Sequence, residues 1–332
     1  MLIPSNSKNK KVSILIAARN EEQNIENVLI SVANLSYPKE QLEVLIGDDN
    51  STDGTANIVA AFIRDKPYMS LISIHESTGE LKGKTNVLVQ LIKEATGEYF
   101  FFTDADITLP IGWVEAMLSA FGHNIGVVVG STTTKPVSIF ARCQGIEWLS
   151  VLKFMEFCGR FNIPTTGMGN NMAVSRFAYE AVGGYEQIPF SIVEDYALYN
   201  TIIEEGFGFK HLYCEEILAF TEPPENYFRQ RKRWVTGSVQ SRSPLLIAAF
   251  AQMLLLPIIC GLFLTNMIIG QLLLFVSLSL NIIAGFLSLR KVGLTKWAIY
   301  LPVYSVYVIV FWFLQLINFM LPGGLNWKDR KY

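Results

Sequence analysis

Charged residues are missing from two long stretches of this 332-residue sequence. No Asp, Glu, Lys or Arg occurs over residues 244–289 or over residues 297–319. Because an α-helix rises about 1.5 Å per residue, about 20 residues cross a bilayer core about 30 Å thick. The first stretch is about twice that length and should turn back near residues 265–266. A soluble core rarely supplies three such runs in succession, so the sequence predicts three membrane-spanning helices, at 245–264, 268–289 and 297–319.

Other residue types are scarce in ways that exclude several protein classes. The four cysteines show no Cys-x-x-Cys spacing, which predicts buried thiols in a reducing compartment and argues against a disulfide framework or a zinc site. The three histidines are scattered, and a net charge of −2 gives no reason to expect a nucleic-acid partner. Residues 1–11 are polar and contain no signal-peptide core. The sequence also lacks a Gly-x-Gly-x-x-Gly fingerprint after the first apolar run and a Walker A motif.

Apolar runs alternate with helical patterns over the first 130 residues. The runs are short and continuously apolar, as in a parallel sheet that helices cover on both faces. Alternation at this spacing predicts right-handed βαβ units and therefore an α/β fold. The predicted strands are 12–18, 42–47, 70–74, 98–103, 126–131 and 209–214. The predicted helices are 21–33, 55–65, 84–95, 111–120 and 195–205. An amphipathic stretch spans residues 138–158, and a Gly/Asn-rich segment spans residues 165–175.

Carboxylates follow two of these strands at the point where each ends. Asp48 and Asp49 end the second strand, and Asp104 and Asp106 follow the phenylalanine-rich fourth. A strand followed by an Asp-capped turn would explain either cluster alone. Ligands of an open parallel sheet, however, bind outside the carboxyl ends of its strands, so both clusters should face one edge. Carboxylates gathered there require a cation, and oxygen ligands one residue apart suit Mg²⁺ or Mn²⁺.

Lys84 opens the helix after the third predicted strand. Helix N-termini and lysine side chains both favour phosphate. A divalent cation held by few carboxylates usually completes its ligand shell with substrate phosphates. The residues thus predict a nucleoside diphosphate compound bound through Mg²⁺ or Mn²⁺.

Four motifs in order give the sequence a family resemblance. They are Asp48-Asp49-x-Ser51-x-Asp53-Gly54-Thr55, Asp104-x-Asp106, Glu194-Asp195 and Gln230-x-x-Arg233-Trp234. With these motifs, residues 11–240 resemble the family 2 glycosyltransferases, which have the GT-A fold. The resemblance implies a hexosyltransferase with a mostly parallel sheet flanked by helices, here followed by transmembrane helices.

The resemblance implies roles for the residues on the donor side. Asp49 would bind the nucleobase, usually uracil, with help from Ala17 and Arg19. Asp104 would meet the ribose or the metal, and Asp106 would bind the metal that holds the diphosphate. The donor would therefore be a nucleotide sugar, most often a UDP-sugar.

On the acceptor side, the resemblance makes Asp195, paired with Glu194, the general base. Gln230, Arg233 and Trp234 would line the acceptor and diphosphate side, and the Gly-rich residues 167–172 resemble the loop that closes on the acceptor. A carboxylate can take the proton that the acceptor hydroxyl loses, while a metal and an arginine stabilise the departing diphosphate. One base without a second carboxylate nucleophile predicts a single displacement with inversion. The alternative role of Asp195 is to cap the N-terminus of the predicted helix 195–205, and this role is compatible with catalysis.

The basic segment before the first apolar stretch has two predicted roles. Gln230, Arg233 and Trp234 share one helix face, and the other basic residues suit an anionic cytoplasmic leaflet. The sequence predicts a multi-pass inner-membrane protein with its catalytic domain in the cytoplasm. Three crossings would place the basic C-terminal residues outside, which strains the positive-inside rule, and a re-entrant or interfacial last segment would remove the strain. The predicted domains are 1–240 (catalytic, with an interfacial helix near 224–241), 245–319 (membrane) and 320–332 (basic tail).

Several functions stay open at this point. Gln-x-x-Arg-Trp occurs in enzymes that add one sugar to a lipid and in processive polysaccharide synthases. Synthases build a pore from more than three spans, some of them before the catalytic domain, whereas no long apolar run precedes Val12. This favours a lipid or lipid-linked acceptor, with room for a partner membrane subunit. A third possibility is a membrane scaffold without catalytic activity that only binds a nucleotide sugar, but the intact motif residues disfavour it. A fourth is a nucleotidyltransferase, which would release pyrophosphate instead of a nucleoside diphosphate.

Overall fold

The computed structural model describes residues 10–79, 81–189, 191, 193–240, 245–321, 326–327 and 330–331. The polar N-terminus and most of the predicted basic tail lie outside the described residues. Two compact units divide the chain. The first unit takes the chain up to Thr132 together with Met155–Glu222, and the second takes Thr133–Phe154 together with the chain from Pro223.

Most strands belong to a seven-stranded sheet in the first unit. The strands are β1 Val12–Ala18, β2 Leu42–Asp48, β3 Met69–Ser73, β4 Tyr99–Asp104, β5 Ile107–Thr108, β6 Ile125–Val129, β7 Ser131–Thr134, β8 Asn171–Ser175, β9 Gly208–His211, β10 Leu218–Thr221, β11 Asn326–Trp327 and β12 Arg330–Lys331. The seven-stranded sheet has the order β3-β2-β1-β4-β8-β6-β9, and β5, β10 and β7 form a smaller sheet. Only β8 runs antiparallel to its neighbours in the large sheet.

Helices cover both faces of this sheet, as the sequence predicts. The helices of the described residues are α1 Ile25–Ala33, α2 Thr55–Phe62, α3 Gly83–Glu94, α4 Trp113–Ser119, α5 Ile139–Arg160, α6 Arg176–Ala181, α7 Gly184–Gln187, α8 Glu194–Glu204, α9 Tyr227–Gln240, α10 Leu245–Thr265, α11 Met267–Lys291 and α12 Leu301–Met320, of which α9 to α12 belong to the second unit. Successive side chains of a strand point to opposite faces. Phe101 accordingly packs in the layer of α1 and α4, while Phe100 and Phe102 pack in the layer of α3. The phenylalanine run is therefore buried on both sides, and an α/β fold with a mostly parallel sheet is confirmed.

Two elements differ from the prediction. The Gly/Asn-rich segment contains β8, whose five residues follow a glycine-rich turn that hides the strand pattern. The predicted strand 126–131 breaks at Gly130, and the chain passes there from the large sheet to the small one. A Cβ atom at Gly130 would lie 2.1 Å from Asn171 Oδ1, so only glycine fits this close approach.

The second unit contains the three apolar helices. Helices α10 and α11 and the segment Thr295–Met320 are long and apolar enough to cross a membrane. The turn between α10 and α11 lies at Asn266, as predicted. The prediction of four buried thiols is wrong for Cys260, which is exposed on α10, and only half right for Cys214, which is half-buried. The prediction assumed that an unpaired cysteine is buried in a protein core, but on an apolar helix a thiol can face lipid instead.

Candidate active site

The two acidic clusters lie on either side of the end of β1. In the parallel pairing of β1 with β2, Ala18 stands opposite Asp48, and in its pairing with β4, Ala17 stands opposite Asp104. Strand order alone thus brings the residues that follow β1, β2 and β4 to one edge of the sheet. This is the edge at which an open α/β sheet binds its ligands.

Asp49 and Arg19 form the first part of this edge. The backbone N–H of Asp49 donates to the carbonyl of Ala18 at 2.9 Å. Nη1 of Arg19 donates to the carbonyl oxygen of Asp49 at 2.8 Å and lies 3.8 Å from its Oδ2. Asp49 is buried, with 7% of its surface exposed. The pair therefore fixes a carboxylate and a guanidinium beside the ends of β1 and β2.

The other two aspartates of the first motif shape the turn. Oδ2 of Asp48 accepts from the N–H of Ser51 at 3.3 Å. Oδ1 of Asp53 accepts from the backbone N–H of Thr55 at 3.0 Å, and its Oδ2 accepts from that of Glu22 at 3.1 Å. Burial alone would raise the pKa of Asp53, but these hydrogen bonds outweigh it and hold the pKa below its usual value. Asp48 and Asp53 are thus committed to backbone contacts.

Lys84 joins the end of β4 to the start of α8. Its Nζ atom donates to Oδ1 of Asp104 at 2.6 Å and lies 3.3 Å from Oε1 of Glu194. Burial would lower the pKa of Lys84, but the carboxylates of Asp104 and Glu194 outweigh it and raise the pKa above its usual value. Lys84 is therefore a permanent cation between residues that lie 90 positions apart in the sequence.

Asp106 lies two residues beyond Asp104, in the turn before β5. Its Oδ2 accepts from the hydroxyl of Thr221 at 3.0 Å. Burial, followed by the charges of Asp104 and Glu21, raises the pKa of Asp106 to about 6. The local field thus carries an excess of negative charge at this carboxylate.

That excess is what a divalent cation would neutralise, so the residues fit Mg²⁺ or Mn²⁺. Asp104 and Asp106 supply hard carboxylate oxygens of the kind these ions prefer. Across the part of the chain that the structure describes, no group of three or more His, Cys, Asp and Glu side chains is arranged to hold a metal. Such a cation commonly completes its ligand shell with water and substrate phosphate oxygens.

Asp195 lies in the first turn of α8, next to Glu194. Its Oδ2 accepts from the backbone N–H of Gly169 at 2.6 Å, and its Oδ1 accepts from that of Tyr196 at 2.8 Å. Burial of the carboxyl group and the charge of Glu194 raise its pKa to about 6, an effect that Lys84 partly offsets. The cap position of α8 belongs to Val193, so Asp195 is not the capping residue that the alternative interpretation supposed.

The Gly-rich segment 167–172 approaches Asp195 closely. A Cβ atom at Gly167 would lie 2.5 Å from the carbonyl oxygen of Asp195, and one at Gly169 would lie 3.1 Å from its Cβ and 3.2 Å from Nζ of Lys84. Glycine is needed where backbone comes this near to another group. Gly169, Lys84, Glu194 and Asp195 therefore form one cluster with Asp104.

The Gln-x-x-Arg-Trp motif lies on α9 of the second unit. Oε1 of Gln230 is buried without a hydrogen-bond partner among the described residues. The indole of Trp234 packs on Trp148 with ring centroids 5.1 Å apart. The motif thus presents an unpaired amide oxygen next to an aromatic pair, and Arg233 stands one residue before Trp234 on the same helix.

A buried ion pair that the sequence analysis did not foresee fixes α9 to α5. Nη2 of Arg231 donates to Oε2 of Glu147 at 2.7 Å, and the hydroxyl of Tyr307 donates to the same oxygen at 2.9 Å. The guanidinium carbon of Arg231 also lies 4.8 Å from the centre of the Trp234 ring. Burial raises the pKa of Glu147, and Arg231 only partly offsets it. Each charge depends on the other because neither reaches bulk water.

Replacing Glu147 with Gln is expected to lower the free energy of unfolding by about 3–5 kcal/mol, because it leaves the Arg231 guanidinium buried without a counter-charge. Chemical denaturation in detergent measures the loss. The double variant Glu147→Gln/Arg231→Met should recover part of it. The control is Glu156→Gln on the same helix, which breaks a pair with the exposed Arg160. A Glu147→Gln variant as stable as this control would contradict the role of the pair.

Two of these contacts, one in each unit, had no recognisable sequence signal. Thr221 lies in a four-residue strand far from any motif, and it meets Asp106 only because β10 pairs with β5. Glu147 lies in an amphipathic helix in which nothing marks one carboxylate as buried. The glycines 167 and 169 did give a signal, because a Gly-x-Gly spacing beside asparagines indicates close backbone approach.

Two family models match the chain. Residues 13–183 match the model described as "Glycosyl transferase family 2", and residues 99–322 match the model described as "Glycosyl transferase family group 2". The "Probable glycosyltransferase YdaM" of Bacillus subtilis is 30% identical over 238 residues, which are 69% of this chain and 55% of the relative. The "Beta-monoglucosyldiacylglycerol synthase" of Synechocystis is 26% identical over 246 residues, which are 69% of this chain and 48% of the relative. The chain thus spans about half the length of these curated relatives.

A solved structure shares the fold. It is a mannosyltransferase, PcManGT from Pyrobaculum calidifontis, in complex with GDP-Man and Mn²⁺. The TM-score is 0.55 at 20% sequence identity, and the match covers 91% of this chain and 87% of that one. At this identity the likeness carries the fold alone, which is the GT-A architecture. From its family-model matches and its fold, the chain belongs to the family 2 glycosyltransferases.

Proposed function

We propose that this glycosyltransferase moves one hexose from a UDP-sugar to a hydroxyl group of a membrane lipid or lipid-linked acceptor, with inversion at the anomeric carbon. The observation that carries the proposal is the bridge formed by Lys84. It holds the end of β4, where the donor would bind, within one hydrogen-bonded cluster with the start of α8, where Asp195 lies. Donor and base are thereby gathered at one edge of the sheet.

On the donor side, the first motif would hold the nucleoside. Asp49 is the acceptor for N–H groups of the base, and Ala17 and Arg19 flank it at the end of β1. Asp104 would meet the ribose or share the metal, and Asp106 would be the principal ligand of Mg²⁺ or Mn²⁺. When bound, this cation stabilises the charge that develops on the departing diphosphate.

Asp195 would act as the general base. Its pKa of about 6 leaves it ionised at neutral pH and still basic enough to accept the proton of a hydroxyl group. The N–H groups of Gly169 and Tyr196 orient the carboxylate. Glu194 and Lys84 set its charge environment, so Glu194 contributes to the catalytic group without contacting the acceptor.

The motif on α9 would serve the acceptor and the diphosphate. Gln230 offers its buried unpaired oxygen to an acceptor hydroxyl, Trp234 offers an apolar face, and Arg233 offers a cation to phosphate. The apolar helices that follow would keep the enzyme in the inner membrane, with its catalytic residues in the cytoplasm. Relatives named as a glycolipid synthase and as poly-β-1,6-N-acetyl-D-glucosamine synthases resemble this chain to a similar degree, so both acceptor classes enter the test.

The test is incubation of membranes that contain the protein with radiolabelled nucleotide sugars and Mg²⁺ or Mn²⁺, followed by lipid extraction. We expect label in the organic phase with at least one UDP-sugar, and release of UDP. Membranes with the Asp195→Asn variant are the control and should give at most about one hundredth of this label. Label in an insoluble polymer would show that the protein is a processive synthase and that the acceptor is not a lipid. No transfer from any nucleotide sugar, or release of pyrophosphate, would contradict the proposal.

A further inference from the structure

A tight turn joins helices α10 and α11. The N–H of Gly270 donates to the carbonyl of Asn266 at 3.0 Å, and a Cβ atom at Gly270 would lie 2.9 Å from the backbone nitrogen of Phe263. The closed end of the hairpin is therefore at Asn266. Its open end is formed by the start of α10 at Leu245 and the end of α11 at Lys291. If both helices cross the bilayer, these two termini face the same side.

Helix α12 begins at the open end of α11. A Cβ atom at Gly285 would lie 2.6 Å from the side chain of Leu301 and 3.1 Å from that of Tyr304. Gly285 is six residues before the end of α11, or about 9 Å at the rise of an α-helix. One turn further along α12 and one turn back along α11, Nδ2 of Asn281 donates to the carbonyl of Ser305 at 3.4 Å.

Helix α12 ends at the open end of α10. The rings of Phe319 and Phe250 lie 6.4 Å apart. Phe250 is five residues after the start of α10, or about 8 Å. Twenty residues of α12 span about 30 Å, so this helix stretches from one arm of the hairpin to the other. A third crossing packed along the hairpin would bring one end of α12 to the turn at Asn266 instead.

The basic helix α9 packs along the same α12. Nδ2 of Asn318 donates to the carbonyl of Phe228 at 2.9 Å, and Nζ of Lys232 donates to the carbonyl of Leu321 at 2.6 Å. Tyr307, in the first half of α12, bonds to the carboxylate that holds Arg231. A helix that crossed the bilayer here would draw several cationic side chains into hydrocarbon, which is strongly unfavourable.

From these contacts we propose that α12 lies in the membrane interface and that the chain crosses the bilayer twice, through α10 and α11. The exposed apolar side chains of α12, at Val303, Val306, Leu314 and Ile317, recur at helical spacing and form one stripe. An interfacial helix buries such a stripe in the acyl region and turns its other side to polar groups. Arg290 and Lys291 then share a compartment with the end of α12, which satisfies the positive-inside rule.

The experiment places a protease site and an epitope in the full chain at one of three positions: the hairpin turn at 266, the connection at 293, and the C-terminus. Sealed right-side-out and inside-out vesicles are then treated with the protease. Two crossings predict that the C-terminal site and the site at 293 are cut from the same side, and that the site at 266 is cut from the other side. A C-terminal site cut together with the site at 266, or from both sides, would overturn the proposal.

A second measurement leaves the loops unchanged, because an insertion at 266 can disturb the hairpin. The full chain is fused at its C-terminus to green fluorescent protein or to alkaline phosphatase, which are active only inside and only outside the cytoplasm, respectively. We expect fluorescence without phosphatase activity. Phosphatase activity without fluorescence would restore three crossings. Neither readout depends on catalysis, so the topology stands or falls independently of the proposed donor and acceptor.

Discussion

Replacing Asp195 with Asn is expected to lower kcat by about 10²–10⁴, because the acceptor hydroxyl loses the group that takes its proton. The amide keeps the size of the carboxylate, and its oxygen can still accept from the N–H of Gly169 or of Tyr196. The affinity for the nucleotide sugar should therefore change little. Turnover with a labelled sugar nucleotide, together with donor binding by equilibrium dialysis, separates the two effects.

The pH profile of the wild-type enzyme should carry the same signature. Burial and the neighbouring charge of Glu194 raise the pKa of Asp195 to about 6, against the partial offset of Lys84. The base works only when ionised, so kcat/KM, whose pH dependence reports the free enzyme, should be constant above this pKa and fall about tenfold for each pH unit below it.

Glu204→Gln is the matched control for Asp195, since it removes a carboxylate at the exposed end of the same helix. It should leave kcat and the pH profile of kcat/KM unchanged. If Asp195→Asn turned over as fast as this control, another residue would have to be the base.

Replacing Lys84 with Met is expected to lower kcat by about 10²–10³, the loss found when one preorganised cation or donor is removed from a charged transition state. Without it, Asp104, Glu194 and Asp195 would face one another with no cation between them. Because Lys84 lowers the pKa of Asp195, the acid limb of the profile should also move to higher pH in the variant. Lys84→Arg keeps the charge and should restore part of both losses.

The control for Lys84 is Lys93→Met, which removes an exposed lysine of the same helix that pairs with Glu186. Its activity should equal that of the wild type. A Lys84→Met variant with reduced turnover but an unmoved acid limb would show that the lysine supports the fold without tuning Asp195.

Strand ends were the most predictable part of the molecule. Continuous apolar runs define β1, β2 and β4, and the parallel order brings their carboxyl ends together whatever the side chains are. Asp49, Asp104 and Asp106 could therefore be assigned to one edge from sequence. The partner of Asp106 could not, because the approach of Thr221 depends on the pairing of two short strands, for which a sequence pattern carries little information.

The membrane segment shows where composition stops being informative. Length and hydropathy qualify α12, together with the residues just before it, as a possible membrane span like α10 and α11, yet 39% of its most apolar part is buried inside the protein, compared with 11% and 17% for the other two. What distinguishes it is its neighbours, the aromatic and basic residues of α9. Such contacts are set by tertiary packing, so only the positive-inside rule hinted at them in the sequence.

The most direct test of the central claim is an experimental structure of the protein with UDP and Mn²⁺ bound. We expect the uracil beside Asp49, the metal on Asp106, and the diphosphate on the side of the site that faces Lys84 and Asp195. Nucleotide bound away from the ends of β1, β2 and β4, with none of these carboxylates in contact with it or its metal, would contradict it.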